Sequence, residues 1–291
     1  DLVSLMVGEF PELQGIMGRY YAINMNEDRL IADAIEDHYK PKFSGDTLPR
    51  SNLGVTFALA DKFETLISLF SIDEKPTGDK DPFALRRHAI GIIRLLTENN
   101  LQLNLYKLLE KFMPNKDSNK IIELKSFIDD RLINFLKEKD YLSEEIESVL
   151  IKSPSSFYDL ILKIDAIRVF SKLKESQDLA AANKRVSNIL KKYDPANFKK
   201  VNPSLFKDSQ ETDLFDSLNK VIPIIQNHLN KNDYIAALKA LVVLKSPIDN
   251  FFDKVMVNSE EIDVKNNRHN LLITLHETLN TVADISRILA Q

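Results

Sequence analysis

Seven glycines serve 291 residues, and the last is Gly91, so the final 200 residues contain none. A chain without glycine has no cheap route to positive φ, which tight hairpins and strand-rich folds use repeatedly. Nor can that stretch hold a P-loop or a G-x-G-x-x-G turn, both of which need glycine for close backbone approach to phosphate. Helices are what remain, and the apolar residues recur at helical spacing. Leu85, Ala89, Ile92, Ile93 and Leu96 follow i, i+4, i+7, i+8, i+11. Asp81 as cap and Pro82 at the first helical position mark the start of that helix. A second helix follows Asp178, with Leu179, Ala182, Val186, Ile189 and Leu190 as its stripe. Leu271, Leu275, Leu279, Val282 and Leu289 predict a long terminal one. Further helices are expected near 27–39, 52–70, 119–138, 143–151, 157–174, 211–230, 232–244 and 247–256, and no alternating run reads as a strand.

At roughly 150 residues per domain the length predicts two domains. The best boundary is Lys152 to Ser156: all the glycines precede it and a basic segment follows. The expected division is therefore 1–152 and 153–291. From Lys163 to Lys207 there are eleven Lys/Arg against four Asp/Glu, a net +7 in a chain whose total is −4. A localised cationic segment in an acidic protein points to an anionic partner. There is no cysteine, so disulfides and thiolate metal sites are excluded and a reducing, cytoplasmic setting is expected. The N-terminus lacks the basic region of a signal peptide and an initiator Met, so the chain reads as a fragment of a longer one. No apolar run approaches the roughly 18 residues of a membrane span.

Several stretches resemble the beta subunit of the bacterial heterotetrameric glycyl-tRNA synthetase, in that family's order. They are MVGEFPELQGIMGRYYA at 6–22, ALADKFETL at 58–66, KPTGDKDPFALRR at 75–87 continuing to Gly91-Ile-Ile-Arg94, AAANKRVSNIL at 180–190, and PIDNFFDKVMV at 247–257 with Asn267 and Arg268 after it. The resemblance implies an all-α chain: an HD-like helical domain followed by a DALR-type anticodon-binding helical bundle. It also implies tRNA-Gly and the alpha subunit as partners in an alpha2beta2 assembly. ATP, Mg and the glycylation chemistry are expected on the alpha subunit. No HIGH, KMSKS or class II signature occurs here, so no catalytic residue and no cofactor is expected in this chain.

ALADK is similar to the last motif of HD phosphohydrolases, which makes Asp61 a vestigial metal position. A working site of that kind also needs a His-Asp pair, and the five histidines (His38, His88, His228, His269, His276) supply none. A metal-dependent phosphohydrolase is the alternative reading, and a helical scaffold without a nucleic-acid role is a third. Carboxylate pairs such as Asp129-Asp130 and Glu144-Glu145 are adjacent on helices and do not face each other.

The expected tRNA-binding residues are Lys184, Arg185, Asn188, Lys191 and Lys192 on the polar side of the helix after Asp178. Lys199, Lys200 and Lys207 follow. Lysine and arginine neutralise phosphates, while Asn and Arg also read base edges. Tyr193, Phe198 and Phe206 are interleaved, either as stacking platforms or, more in keeping with sixteen Phe and eight Tyr, as core. Arg87, Gly91 and Arg94 share one helical face, so contact with tRNA or with the alpha subunit competes there with plain helix packing around the glycine beside two solvated arginines. Arg268 either faces tRNA or pairs with Asp253 or Asp263. Phe251, Phe252, Val255 and Met256 are expected to pack on the terminal helix.

Overall fold

A computed structural model describes residues 4–191, 193 and 199–288. It divides into two compact units, 1–140 with 155–158, and 141–154 with 159–291. The sequence reading leaves 143–150 with the first half of the chain, whereas the division by contact places it in the second unit. Among the described residues the regular structure is helical, apart from one isolated bridge between Thr77 and Lys80. None of these helices is long and apolar enough to cross a membrane.

The first unit holds α1 (Leu5–Glu9), α2 (Ile16–Asn24), α3 (Arg29–Asp37), α4 (Asn52–Ser71), α5 (Leu85–Glu98), α6 (Leu105–Phe112) and α7 (Ser118–Glu138). The amides that open these helices find side-chain oxygens close in sequence. Asp28 accepts from Leu30 N, Ser51 from Gly54 N, Asn104 from Lys107 N and Asp117 from Asn119 N. The α5 stripe from Leu85 to Leu96 is fully buried between α4 and α7, against Leu66, Phe70, Leu124, Ile128 and Leu132. The start of α5 departs from the expectation. Asp81 does accept from the Leu85 and Arg86 amides, at 2.8 and 3.0 Å, but Pro82 lies outside the helix. Ala84 takes a left-handed φ of 55°, and α5 begins at Leu85. Asp81 thus serves the helix end across an extra turn of chain.

A carboxylate cluster ties α3 to the start of α4. Asp37 is fully buried and accepts from Arg50 N at 2.8 Å, from the Arg50 guanidinium at 3.0 Å and from Lys40 at 3.0 Å. Arg19 bonds to Asp33, and Arg50 reaches Glu36 at 2.9 Å. Burial pushes the Asp37 carboxyl up, yet the Arg50 and Lys40 bonds outweigh it and hold it below its usual 3.8. Asp33, held chiefly by Arg19, and Glu36 are lowered as well. A carboxylate with a lowered folded pKa stabilises the fold above its unfolded value, and that contribution disappears as pH falls through the folded one. Denaturant titrations at pH 7, 5 and 3 should therefore show a first decline between 7 and 5, where unfolding lets the half-buried imidazoles His88 and His276, both held below their usual range by burial, take up protons. Stability should fall further, by at least on the order of 1 kcal/mol, below about pH 4.

The second unit holds α8 (Ser143–Leu150), α9 (Phe157–Phe170, its first turn counted with the first unit), α10 (Ser176–Leu190), α11 (Ser209–Leu229), α12 (Tyr234–Ala240), α13 (Lys245–Lys254) and α14 (Ile262–Leu279). Its core gathers Leu160, Ile164 and Ile167 of α9, Leu214 and Leu218 of α11, and Leu271, Leu272 and Leu275 of α14. The expected terminal helix stops at Leu279. Asn280 turns its side-chain amide back to His276 O at 2.8 Å, and the chain leaves through a 3-10 turn at Ile285–Arg287. Leu289 lies outside the described residues. The α13 apolar group is also corrected. Phe251 and Val255 are buried, but Met256 is 74% exposed, and α13 rests against α11 and α10.

Candidate nucleic-acid interface

One face of α10 faces inward, and it is more polar than its sequence suggests. Leu179, Ala180 and Val186 are buried as apolar contacts, but Ser176 and Asn183 are buried among them. Asn183 and Asn280 exchange side-chain amide bonds at 2.9 and 3.0 Å, and Ser187 Oγ lies 3.0 Å from His276 Nε2. A buried amide whose donors and acceptors are met fixes a geometry that apolar contact alone leaves free to slide. These pairs set the rotation of α10 against α14 and thereby decide which α10 residues face solvent.

Those residues are Lys184, Arg185, Asn188 and Lys191, all exposed. Lys184, Arg185 and Asn188 line a groove of about 970 Å³ whose other wall is the first half of α14, with Lys265, Asn266 and His269, and the preceding Asn258. Tyr193 closes one end, its ring stacked on His269 at 4.9 Å and 7°. His269 Nδ1 lies 2.7 Å from Lys265 O, which fixes the ring plane. The Arg185 guanidinium sits 4.1 Å from the Phe252 ring centroid, an arrangement that steadies a cation while leaving its N–H edge open. No carboxylate lines this groove, and among the described residues Lys184, Arg185 and Lys265 have no acidic partner. Three unpaired cations with three asparagine amides are a set suited to phosphates and base edges.

The other expected positions fall elsewhere. Lys191 is exposed at the α10 C-terminus, bonded to Asn188 Oδ1 at 3.0 Å and outside the groove lining. Lys192 and Phe198 lie outside the described residues. Lys199 and Lys200 are exposed, and Lys207 pairs with Glu261 at 3.3 Å. Phe206 packs edge-on against Phe215 at 5.7 Å.

Arg268 is not a surface arginine. It is buried, with Nε 3.0 Å from Glu211 Oε1, Nη2 2.8 Å from Asp208 Oδ2 and Nη1 donating to Met256 O at 2.7 Å. Its partners are neither Asp253 nor Asp263, and its guanidinium has no face left for a phosphate. The groove residues of α14, missed in the sequence, are Lys265, Asn266 and His269. A Lys and a His four apart, on either side of Arg268, were the available signal, but which side of α14 is buried depends on Glu211, 57 residues upstream.

In the first unit, Arg94 is buried in an ion pair with Glu98 at 3.0 Å and donates to Phe43 O, so it too is structural. Arg87 is exposed. Gly91 between them faces inward: a Cβ there would lie 2.8 Å from Lys62 Cε. The glycine is thus a packing device, letting the lysine stem cross α5. Gly91→Ala should gain roughly 1 kcal/mol of helix propensity and lose more by displacing Lys62. Thermal unfolding should show a net loss of about 1 kcal/mol. Asp61 is exposed, and it lines a hollow together with Lys62, Arg87 and His88. Among the described residues no three His, Asp or Glu side chains converge on a metal position.

With this geometry in place, comparison with known proteins is specific. A model of the glycyl-tRNA synthetase beta subunit family matches residues 1–151, and one of the DALR anticodon binding domain matches residues 179–288, which contain the whole groove. The chain is 52% identical over 295 residues to the glycine–tRNA ligase beta subunit of Methylobacillus flagellatus, covering 100% of this chain and 42% of that protein. It is 50% identical over 293 residues to those of Delftia acidovorans and Janthinobacterium, again covering 100% of this chain and 42% of each. It therefore spans about two-fifths of the length of these relatives. More than half of the chain is accounted for by the first match alone, and the chain belongs to the glycyl-tRNA synthetase beta subunit family.

Proposed function

We propose that this chain is the tRNA-holding part of a glycine–tRNA ligase beta subunit, gripping tRNA-Gly at its anticodon through the groove between α10 and α14. The observation that carries this reading is the set of Lys184, Arg185 and Lys265 in a groove without a carboxylate, inside the segment matched by an anticodon-binding domain. The lysines and Arg185 would hold phosphates. Asn188, Asn258 and Asn266 would read base edges, and the stacked Tyr193 and His269 rings offer an aromatic edge for an unpaired base. ATP, Mg and the glycylation chemistry belong, on this reading, to a cytoplasmic alpha subunit joined in an alpha2beta2 assembly. This chain would contribute by positioning the substrate.

Equilibrium binding of tRNA-Gly and a non-cognate tRNA at matched salt tests the reading. The cognate tRNA should bind tighter by about tenfold or more, as expected when base contacts each discriminate by roughly 1–3 kcal/mol. The chain alone should give no glycine-dependent ATP–pyrophosphate exchange. Equal, weak affinity for both tRNAs, or robust exchange, would overturn the proposal.

A further inference from the structure

The hollow beside α5 in the first unit is built around a lysine that the tRNA reading does not use. Lys62 is 4% exposed, in the middle of α4, and its Nζ makes one hydrogen bond, to His38 O at 3.1 Å. That carbonyl lies at the C-terminal cap of α3, where a cation is favourable. Capping one carbonyl uses one of three N–H donors, and an exposed lysine would do it without burial. Burial has a cost here. It pushes the Lys62 ammonium down to about 8, and α5 carries Gly91 where Lys62 crosses it. Burying a cation with donors unmet is unfavourable unless something supplies acceptors.

The surrounding groups point the same way. His88 Nδ1 is buried with no hydrogen-bond partner, and such a nitrogen typically costs about 1–3 kcal/mol. Burial holds this imidazole below its usual range, and the charges of Lys62 and Arg87 push in the same direction. Arg87 is exposed and Lys42 donates to Gln14 O at 3.2 Å, both lining the hollow. One carboxylate lines it, Asp61, against the three cations Lys42, Lys62 and Arg87. The volume is about 340 Å³, room for a tetrahedral oxyanion and a substituent beyond it.

We propose that this hollow is a binding site for a phosphomonoester group, with Lys62 donating to its oxygens from within and Arg87 closing over it from the rim. A compact dianion meets the unused Lys62 donors, and Arg87 is placed to offer its planar fork. The site lies entirely within the first unit and rests on nothing in the tRNA reading. The same group occurs on a free nucleotide and at the 5′ end of an RNA, so the test separates the two.

The experiment is a heteronuclear NMR titration of the whole chain with inorganic phosphate, against a sodium chloride control of equal ionic strength. Parallel titrations use adenosine 5′-monophosphate, and a short RNA hairpin with and without its 5′-phosphate. Saturable shifts of the His88 ring and Lys62 ammonium signals under phosphate, absent in the chloride control, are expected. Tighter binding of the mononucleotide than of phosphate identifies a nucleotide site; a dependence of hairpin binding on its 5′-phosphate identifies an RNA end. Lys62→Gln should weaken phosphate by about tenfold or more, as expected for loss of a buried charge-assisted bond. Because that variant risks misfolding, Arg87→Ala, at an exposed position, serves beside it and should weaken phosphate several-fold with the fold intact. Signals that move no further in phosphate than in chloride, or a folded Arg87→Ala chain that binds phosphate as the parent does, would overturn the proposal.

Discussion

Arg268→Ala is expected to destabilise the second unit by about 3–5 kcal/mol, the loss typical when one partner of a buried ion pair is removed. Glu211 is fully buried at the first turn of α11, and its carboxylate accepts from Arg268, from Lys207 N at 2.9 Å and from Asp208 N at 3.0 Å. Burial pushes its carboxyl up, but these bonds, led by Arg268, hold it below its usual 4.5. Without the guanidinium the carboxylate keeps its desolvation and loses its main counter-charge. Met256 O loses a donor at the same time. Denaturant unfolding should show the transition of the second unit moved to lower denaturant, with that of the first unit unchanged. Replacing both partners, as Arg268→Met with Glu211→Leu, avoids the stranded charge but leaves the Lys207 and Asp208 amides at the start of α11 without their acceptor, so it should recover only part of the loss. A loss under about 1 kcal/mol for Arg268→Ala would show the pair to behave as a surface bridge, and would return Arg268 to the candidates for tRNA contact.

This outcome also marks where the sequence is legible. Apolar periodicity reports burial directly, so the α5 stripe from Leu85 to Leu96 and the core leucines of α14 could be read from spacing alone. A buried polar residue leaves no such trace. Asn183, Arg94 and Arg268 look like surface residues until their partners are known, and Asn183's partner is 97 residues away. The same limit hid the groove. The polar face of α10 was visible as Lys184, Arg185 and Asn188, whereas Lys265, Asn266 and His269 enter only because Arg268 turns the other side of α14 inward. Gly91 drew notice as a glycine within a helix, but its cause, the Lys62 stem, belongs to α4. At the start of α5, Asp81 was rightly placed near the helix amides, but the extra turn through Ala84 depends on its left-handed φ, and alanine does not announce that. Helix α6 is absent from the sequence reading, although α8, of the same eight-residue length, was expected there.

The tRNA reading rests on the groove, and the largest effect is expected there. In the triple variant Lys184→Ala, Arg185→Ala, Lys265→Ala, three cations leave and no ion pair among the described residues is broken. Alanine keeps both helices favourable, so circular dichroism should be unchanged and the unfolding midpoint should fall only slightly, through loss of the Arg185–Phe252 contact. Each phosphate contact releases about 0.7–0.9 counterion, which at about 0.15 M salt corresponds to a four- to fivefold change in affinity. Three contacts together predict binding to tRNA-Gly weakened roughly 50- to 150-fold at that salt. Asn266→Ala alone should behave differently. It should narrow the gap between cognate and non-cognate tRNA by up to about 1–3 kcal/mol while leaving the salt dependence as it was.

The most direct measurement is the slope of log K against log salt for tRNA-Gly, taken on the parent chain and the folded triple variant under the same buffer. The account predicts a slope shallower by about 2–3 in the variant, one lost phosphate contact for each cation removed. A folded triple variant whose affinity and slope match those of the parent would contradict it, because the groove between α10 and α14 would then be merely solvated and the tRNA contacts would lie elsewhere.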